Sequence, residues 1–136
     1  MAALLDTSVV VRYLTGDPPR LAARAARIID ERRELAVTDV VIAEAAYVLS
    51  SVYRVSRDAV VDGLVGFLQK RNVATLRLDK GAVIQALLLC RPSNRVSFAD
   101  AMIWAAARSS RAEAVYSFDD RFPELGVEVL RDVGGL

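Results

Sequence analysis

The chain predicts an α/β fold, a three-layer α/β/α sandwich built on a central, mainly parallel sheet. Three observations carry that expectation. Short apolar runs of strand length alternate with longer stretches whose apolar residues recur at helical spacing. Strands separated by helices need crossover connections, which make neighbouring strands parallel and place helices on both faces of the sheet. The 136 residues contain no repeat, low-complexity tract or Gly/Ser linker, so residues 1–136 are expected to form a single domain around one core.

Taken in order, residues 2–5 are a continuous apolar run and the first strand, expected at the centre of the sheet because it is apolar throughout. Residues 8–15 read as a helix closed by Gly16. Asp17 is the expected N-cap of the next helix, with Pro18 and Pro19 in its tolerant first turn. Leu21, Ala25, Ile28 and Ile29 form its apolar stripe, and Arg20, Arg24 and Arg27 its solvated face, with Asp30, Glu31 and Glu34 following as ion-pair partners. A strand near residues 35–38 leads into a helix over 39–53, and Ser56 caps another that runs to about Lys70. Residues 73–78 are β-like, 80–90 helical up to the stop at Pro92, and 98–108 helical again. Residues 114–118 and 127–130 are the last strands. The second has Glu128 facing out and suits a sheet edge.

Composition narrows the chemistry. Histidine is absent, which excludes Ser-His-Asp and Cys-His triads, a His general base and any His-ligated metal or haem. Cys90 stands alone and cannot close an internal disulfide, which suits a reducing cytoplasm. No basic leader opens the chain and no apolar run reaches the ~18 residues of a membrane span, so the expectation is a soluble, unprocessed protein without membrane association. The 18 Lys+Arg balance 17 Asp+Glu, with eight basic and nine acidic residues in 1–68 and ten and eight in 69–136. Any nucleic-acid contact must therefore come from a local arginine patch. Neither G-x-x-x-x-G-K-[ST] nor G-x-G-x-x-G occurs, which argues against nucleotide-dependent enzymes.

Carboxylates are left as the chemical suspects. Ligands of open α/β sheets collect outside the carboxyl ends of strands, and Asp6 and Asp119 each sit just past such an end. Singly they read as a helix cap and a turn residue. Glu44 lies in the run 40–49, apolar on nearly every face, so it is expected to be buried and to need a partner, with a salt bridge to an arginine or a polar stripe at the helix edge as the plain reading. Asp100 follows Ser97 at capping-box spacing. If the four converge, each pair about 4 Å apart repels by roughly 4 kcal/mol at an effective dielectric of 20, so a cation must occupy the pocket. Oxygen-only ligands select Mg²⁺ or Mn²⁺, and such an ion suits phosphoryl chemistry because it activates water and stabilises the leaving oxygen without a His base.

These residues carry a resemblance. Leu4-Leu5-Asp6-Thr7-Ser8-Val9-Val10-Val11-Arg12-Tyr13-Leu14 resembles the first motif of PIN-domain nucleases, particularly the VapC toxins of bacterial and archaeal toxin–antitoxin pairs. Thr38-Asp39-Val40-Val41-Ile42-Ala43-Glu44 is similar to the segment with the family's helical Glu. The run from Phe98 through Asp100 to Ala107 is similar to its third acidic motif, and Tyr116-Ser117-Phe118-Asp119-Asp120-Arg121-Phe122 to its fourth. The four matches fall in order along nearly the whole chain. The resemblance implies a metal-dependent endoribonuclease that cuts RNA, often tRNA or rRNA, is silenced by a cognate antitoxin, and is usually homodimeric. It implies that Asp6, Glu44, Asp100 and Asp119 form the catalytic and metal-binding cluster, with Thr7 and Ser117 as supporting hydroxyls. Many members have a further Asp three residues before the third acid, where this sequence has Ser97.

For RNA contacts the sequence offers Arg91 and Arg95, in the loop before the Asp100 helix, whose guanidinium groups can clamp phosphate oxygens. Solvated loop charges are the plain alternative. The nine aromatic residues, 4 Tyr, 4 Phe and 1 Trp, fall mostly in apolar runs and are expected in the core, without a stacking platform for single strands. Competing readings are a PIN-like nuclease of RNA processing or DNA repair without toxin function, and a non-catalytic acidic-pocket binding module. A receiver domain also has an α/β fold and an acidic pocket, but its Lys after the last strand is missing, since residues 127–130 lead to Arg131 and Asp132.

Overall fold

The computed structural model describes residues 1–133, and its elements follow the predicted alternation. They are β1 (Ala3–Leu4), α1 (Thr7–Thr15), α2 (Pro19–Glu31), β2 (Leu35–Val37), α3 (Asp39–Ser51), α4 (Arg57–Leu68), β3 (Val73–Thr75), α5 (Lys80–Cys90), α6 (Phe98–Ser110), β4 (Val115–Tyr116) and β5 (Val129–Leu130). Every strand pair is parallel, as crossover connections require. The architecture is mixed α/β, in keeping with a three-layer sandwich.

Strand order corrects one expectation. The ladders form a three-stranded sheet in the order β1-β2-β3 and a two-stranded sheet of β4 and β5, so β1 lies at an edge. The centre belongs to β2, whose three residues are all buried; its Ala36 carbonyl accepts from Leu5 on one side, while on the other Leu35 donates to the Asn72 carbonyl and Val37 accepts from Leu76. β1 has only two residues, and its Leu4 is 60% exposed. Apolar composition thus marked a strand and not its place, which depends on pairing with distant segments. β5 pairs with β4 alone, the edge position expected for it.

Local chemistry sets the helix ends. The Asp6 side chain caps α1, and Gly16, at φ 70°, ends it by donating its N–H to the Arg12 carbonyl. Thr38 caps α3, Asp79 caps α5 and Ser97 caps α6 by accepting from backbone N–H groups in the first turn. Two caps differ from expectation. Pro18 rather than Asp17 occupies the N-cap of α2, with Pro19 at the first helical position, so no side-chain cap forms there. Ser56 holds the N-cap position of α4, but its hydroxyl donates to Asp58 instead of capping the backbone. The β-like stretch 73–78 stops at Thr75 because Thr75 Oγ1 donates to the Leu78 carbonyl and Arg77 adopts φ 59°, which turns the chain.

The core gathers Leu5, Val10 and Val11 beneath α1 with Ile29, Ile42, Leu64, Leu87 and Trp104 from the other helices. At about 25 cal/mol per Å² of buried apolar area, this cluster is the main stabilising term. Arginines on α2 remain solvated as expected. Arg27 pairs with Glu31, Asp30 with Lys70 and Glu34 with the N-terminal amine. Three aromatics leave the core: Tyr47 is 66%, Tyr116 63% and Phe118 88% exposed. Among the described residues, no helix is long and apolar enough to cross a membrane.

Candidate active site

Asp6 follows β1 directly. Its Oδ2 accepts from the Ser8 backbone N–H at 3.2 Å and from the Ser8 hydroxyl at 2.7 Å, and these bonds hold its carboxyl below the usual carboxylate range. The capping role and a ligand role coexist, since a carboxylate has lone pairs to spare after two acceptances. Thr7, behind it, is buried.

Glu44 is exposed, which corrects the expectation of a buried carboxylate in search of a partner. Its helix, α3, buries Ile42, Ala45, Ala46 and Leu49 and turns Val40, Glu44 and Tyr47 outward, so an apolar sequence does not mean a helix covered on all sides. Among the described residues Glu44 makes no ion pair. Packing of α1 on α3 places it with Asp6 in one cleft of about 370 Å³, which Thr7, Ser8, Arg12 and Tyr53 help to line.

A second pair forms between α6 and the end of β4. Asp100 lies in the first turn of α6, where the Ser97 hydroxyl accepts its backbone N–H at 3.0 Å. Burial first, and the adjacent Asp119 carboxylate next, push the Asp100 carboxyl above its ordinary range, while Arg121 offsets part of the rise. Asp119 sits in a turn in which its N–H donates to Ser117 Oγ at 3.1 Å and its Oδ1 accepts from the Arg121 N–H at 2.8 Å. Ser117 therefore shapes the turn that presents the acid. The neighbouring Asp120 points elsewhere, toward Arg131 at 3.8 Å.

The structure thus brings Asp6 together with Glu44, and Asp100 together with Asp119. Among the described residues, no three acidic or Cys side chains stand in an arrangement that could hold a metal ion, so the two pairs remain separate half-sites. Their donor chemistry fits a hard divalent cation, because every candidate ligand is an oxygen and the Asp100–Asp119 repulsion is what a cation would relieve.

The two proposed phosphate contacts differ. Arg91 spends its guanidinium on both oxygens of Asp62, at 2.8 and 2.9 Å, tying the loop to α4. Arg95 is exposed, and among the described residues only its backbone N–H is engaged, by Ser93 Oγ. Sequence reasoning passed over Arg12 and Arg121. The first was legible, since it stands four residues after Ser8 and so shares its helix face. The second becomes evident only from the turn that folds it back on Asp119, where Arg121 Nε comes within 3.7 Å of Oδ1.

A family model, the PIN domain, matches residues 3–128. No curated protein matches the chain. PIN domains are generally nucleases, which hydrolyse phosphodiester bonds and typically use divalent metals. The match spans all four acidic residues and every strand but the last, so the chain belongs to the PIN domain family.

Proposed function

We propose that this PIN-domain chain is a Mg²⁺- or Mn²⁺-dependent endoribonuclease and the toxin of a toxin–antitoxin pair, acting on cytoplasmic RNA such as tRNA or rRNA. The observation that carries the reading is the Asp100–Asp119 pair, two carboxylates held together at a cost at the carboxyl end of a strand. Such an arrangement is kept where charge is to be shared with a cation. Asp6 and Glu44, in the cleft between α1 and α3, supply the remaining oxygen donors.

When bound, a divalent ion provides an activated water and polarises the scissile phosphate. Protein groups do the rest. Asp100 and Asp119 would hold the ion, with Asp6 and Glu44 as the second half-site; Ser97 and Ser117 fix the backbone that carries Asp100 and Asp119, and Arg12, Arg95 and Arg121 supply positive charge for the RNA backbone. A cognate antitoxin and a homodimeric state belong to the same proposal.

A second reading, a non-catalytic acidic-pocket module, draws on the separation of the two carboxylate pairs. RNA cleavage by the purified chain separates them. Cleavage should require Mg²⁺ or Mn²⁺, stop with chelator and be lost in Asp6→Asn and Asp119→Asn. Expression should arrest growth, and co-expression of a small protein encoded immediately upstream should relieve the arrest. Absence of metal-dependent cleavage on RNA, with cleavage of DNA or of neither, rejects the endoribonuclease reading.

A further inference from the structure

Two aromatic side chains that the core does not use, Tyr116 at the end of β4 and Phe118 just beyond it, lead to Asp119. Tyr116 is 63% and Phe118 88% exposed, whereas Val115 and Ser117 are half-buried. Ser117 continues the ladder by donating its N–H to the Leu130 carbonyl at 3.0 Å, so the backbone is still paired there. The alternation of exposure through Tyr116, Ser117 and Phe118 puts both rings on the outward side, as an extended backbone does. Phe118 immediately precedes Asp119, the acid paired with Asp100.

We propose that Tyr116 and Phe118 form a stacking platform that holds unpaired nucleobases of the RNA at the rim of the Asp100–Asp119 site; this deepens the endoribonuclease reading and rests on it. The surroundings favour that occupant over a protein surface. Around the two rings lie charges of both signs: Asp119 against Arg121 at 3.7 Å and Asp120 against Arg131 at 3.8 Å, all four side chains well exposed. A docking face for another folded protein needs a continuous apolar centre from which charge is depleted. Planar rings interleaved with arginines match instead a polymer that alternates flat apolar bases with anionic phosphates. Bases of a duplex are stacked inside it and cannot reach such rings.

Binding in the presence of chelator tests the platform without calling on cleavage. A short fluorescein-labelled single-stranded oligoribonucleotide, and the same strand annealed to its complement, would be titrated with the full chain at fixed salt. Single-stranded RNA should bind more tightly than duplex. Phe118→Ala should weaken it on the order of tenfold, Phe118→Leu by as much, and Phe118→Trp not at all, since the face and not the apolar bulk is what stacks. Tyr116→Ala should act in the same direction, and all variants should melt as wild type because both side chains are exposed. Unchanged affinity in the alanine variants, or equal affinity for duplex, overturns the proposal. So does a change of oligomeric state in Phe118→Ala with RNA affinity intact, which would give this face to a second copy of the chain. Wild-type protein that binds RNA through Phe118 and leaves it uncut with Mg²⁺ or Mn²⁺ rejects the nuclease reading alone. Metal-dependent cleavage with binding and KM indifferent to Phe118 rejects the platform alone.

Discussion

Asp100, in the first turn of α6, and Asp119, beyond β4, are neighbouring carboxylates, and burial first and the Asp119 charge next raise the Asp100 carboxyl above its ordinary value of 3.8. Folding thus raises the Asp100 value. Stability linked to its proton is complete below the unfolded value and is lost as pH rises through the folded one, so at neutral pH without metal the pair opposes folding. Asp119→Asn preserves the turn, because an amide oxygen can still accept the Arg121 N–H, and removes the charge. In chelator at pH 7 the variant should melt above wild type, and the difference should close as pH falls below about 4. Added Mg²⁺ or Mn²⁺ should raise the wild-type melt and move the variant less. A variant less stable than wild type across the whole range would show that the carboxylate is structural.

Ser97 anchors the segment that carries Asp100. Its hydroxyl accepts the Asp100 N–H at 3.0 Å, and loss of an N-cap acceptor costs about 1 kcal/mol. Ser97→Ala should lower the melt by roughly 3–5 °C in a domain of this size, and Ser97→Thr should restore it. Urea denaturation with an unchanged m-value would show that the native state and not the unfolded chain was altered. Equal stability of Ser97→Ala and wild type would mean that the cap contributes nothing.

Caps of this kind are legible because they are local: Ser97, Thr38, Asp6 and Gly16 act within four residues of where they stand. Helical spacing likewise revealed all six helices in order. What the sequence could not reveal depends on distant partners. Among the described residues, Leu4 lies at a sheet edge because only β2 pairs with its strand, and Glu44 is exposed because no element covers the outward face of α3. The Arg91–Asp62 pair joins residues 29 apart in sequence. Within the candidate site, each acid was visible as a residue out of place, whereas their grouping into two pairs required the packing of α1 on α3 and of α6 beside β4.

Arg91 and Arg95 should part company when tested. The bidentate Arg91–Asp62 pair leaves the first arginine little freedom for phosphate, while the Arg95 side chain has no protein partner among the described residues. Arg95→Ala should weaken RNA binding uniformly across sequences and reduce the salt slope by about 1. Arg91→Ala should affect binding less and stability by under ~1 kcal/mol, as expected for an exposed pair. The reverse ranking, read from titrations at two salt concentrations, would place the RNA backbone against α4 instead.

Cys90 should behave as a silent thiol. Fully buried, at the end of α5, it is pushed up to about 11 by burial, with the nearby Arg57 guanidinium drawing it partly back. At pH 7–8 it is neutral, and thiolate is the reactive form. Labelling by a thiol reagent should therefore be slow in the native chain and accelerate with denaturant in step with unfolding. Because folding raises this value, its contribution to stability is present below the unfolded value near 9 and is lost between there and about 11. A Cys90→Ala variant should accordingly show a flatter decline of the melt over that alkaline range. Rapid labelling at pH 7 without denaturant would contradict the burial.

Gly126 closes the α6 side of the fold through its backbone. Trp104, wholly buried, donates its indole N–H to the Leu125 carbonyl at 2.9 Å, and the Arg108 guanidinium lies over the Trp104 ring at 5.8 Å while reaching the Gly126 carbonyl at 3.2 Å. Gly126 has φ +68°, a conformation that costs an L-residue roughly 1–2 kcal/mol, and a Cβ there would stand 2.3 Å from Arg108 Nη1. Gly126→Ala should therefore destabilise by about 1–2 kcal/mol in urea, through backbone strain and a displaced arginine together. Arg108→Ala in the same chain removes the clash and leaves the strain, so the double variant should lose less than the sum of the two single ones. Strict additivity would show that the arginine moves aside freely and that the whole cost lies in the left-handed turn.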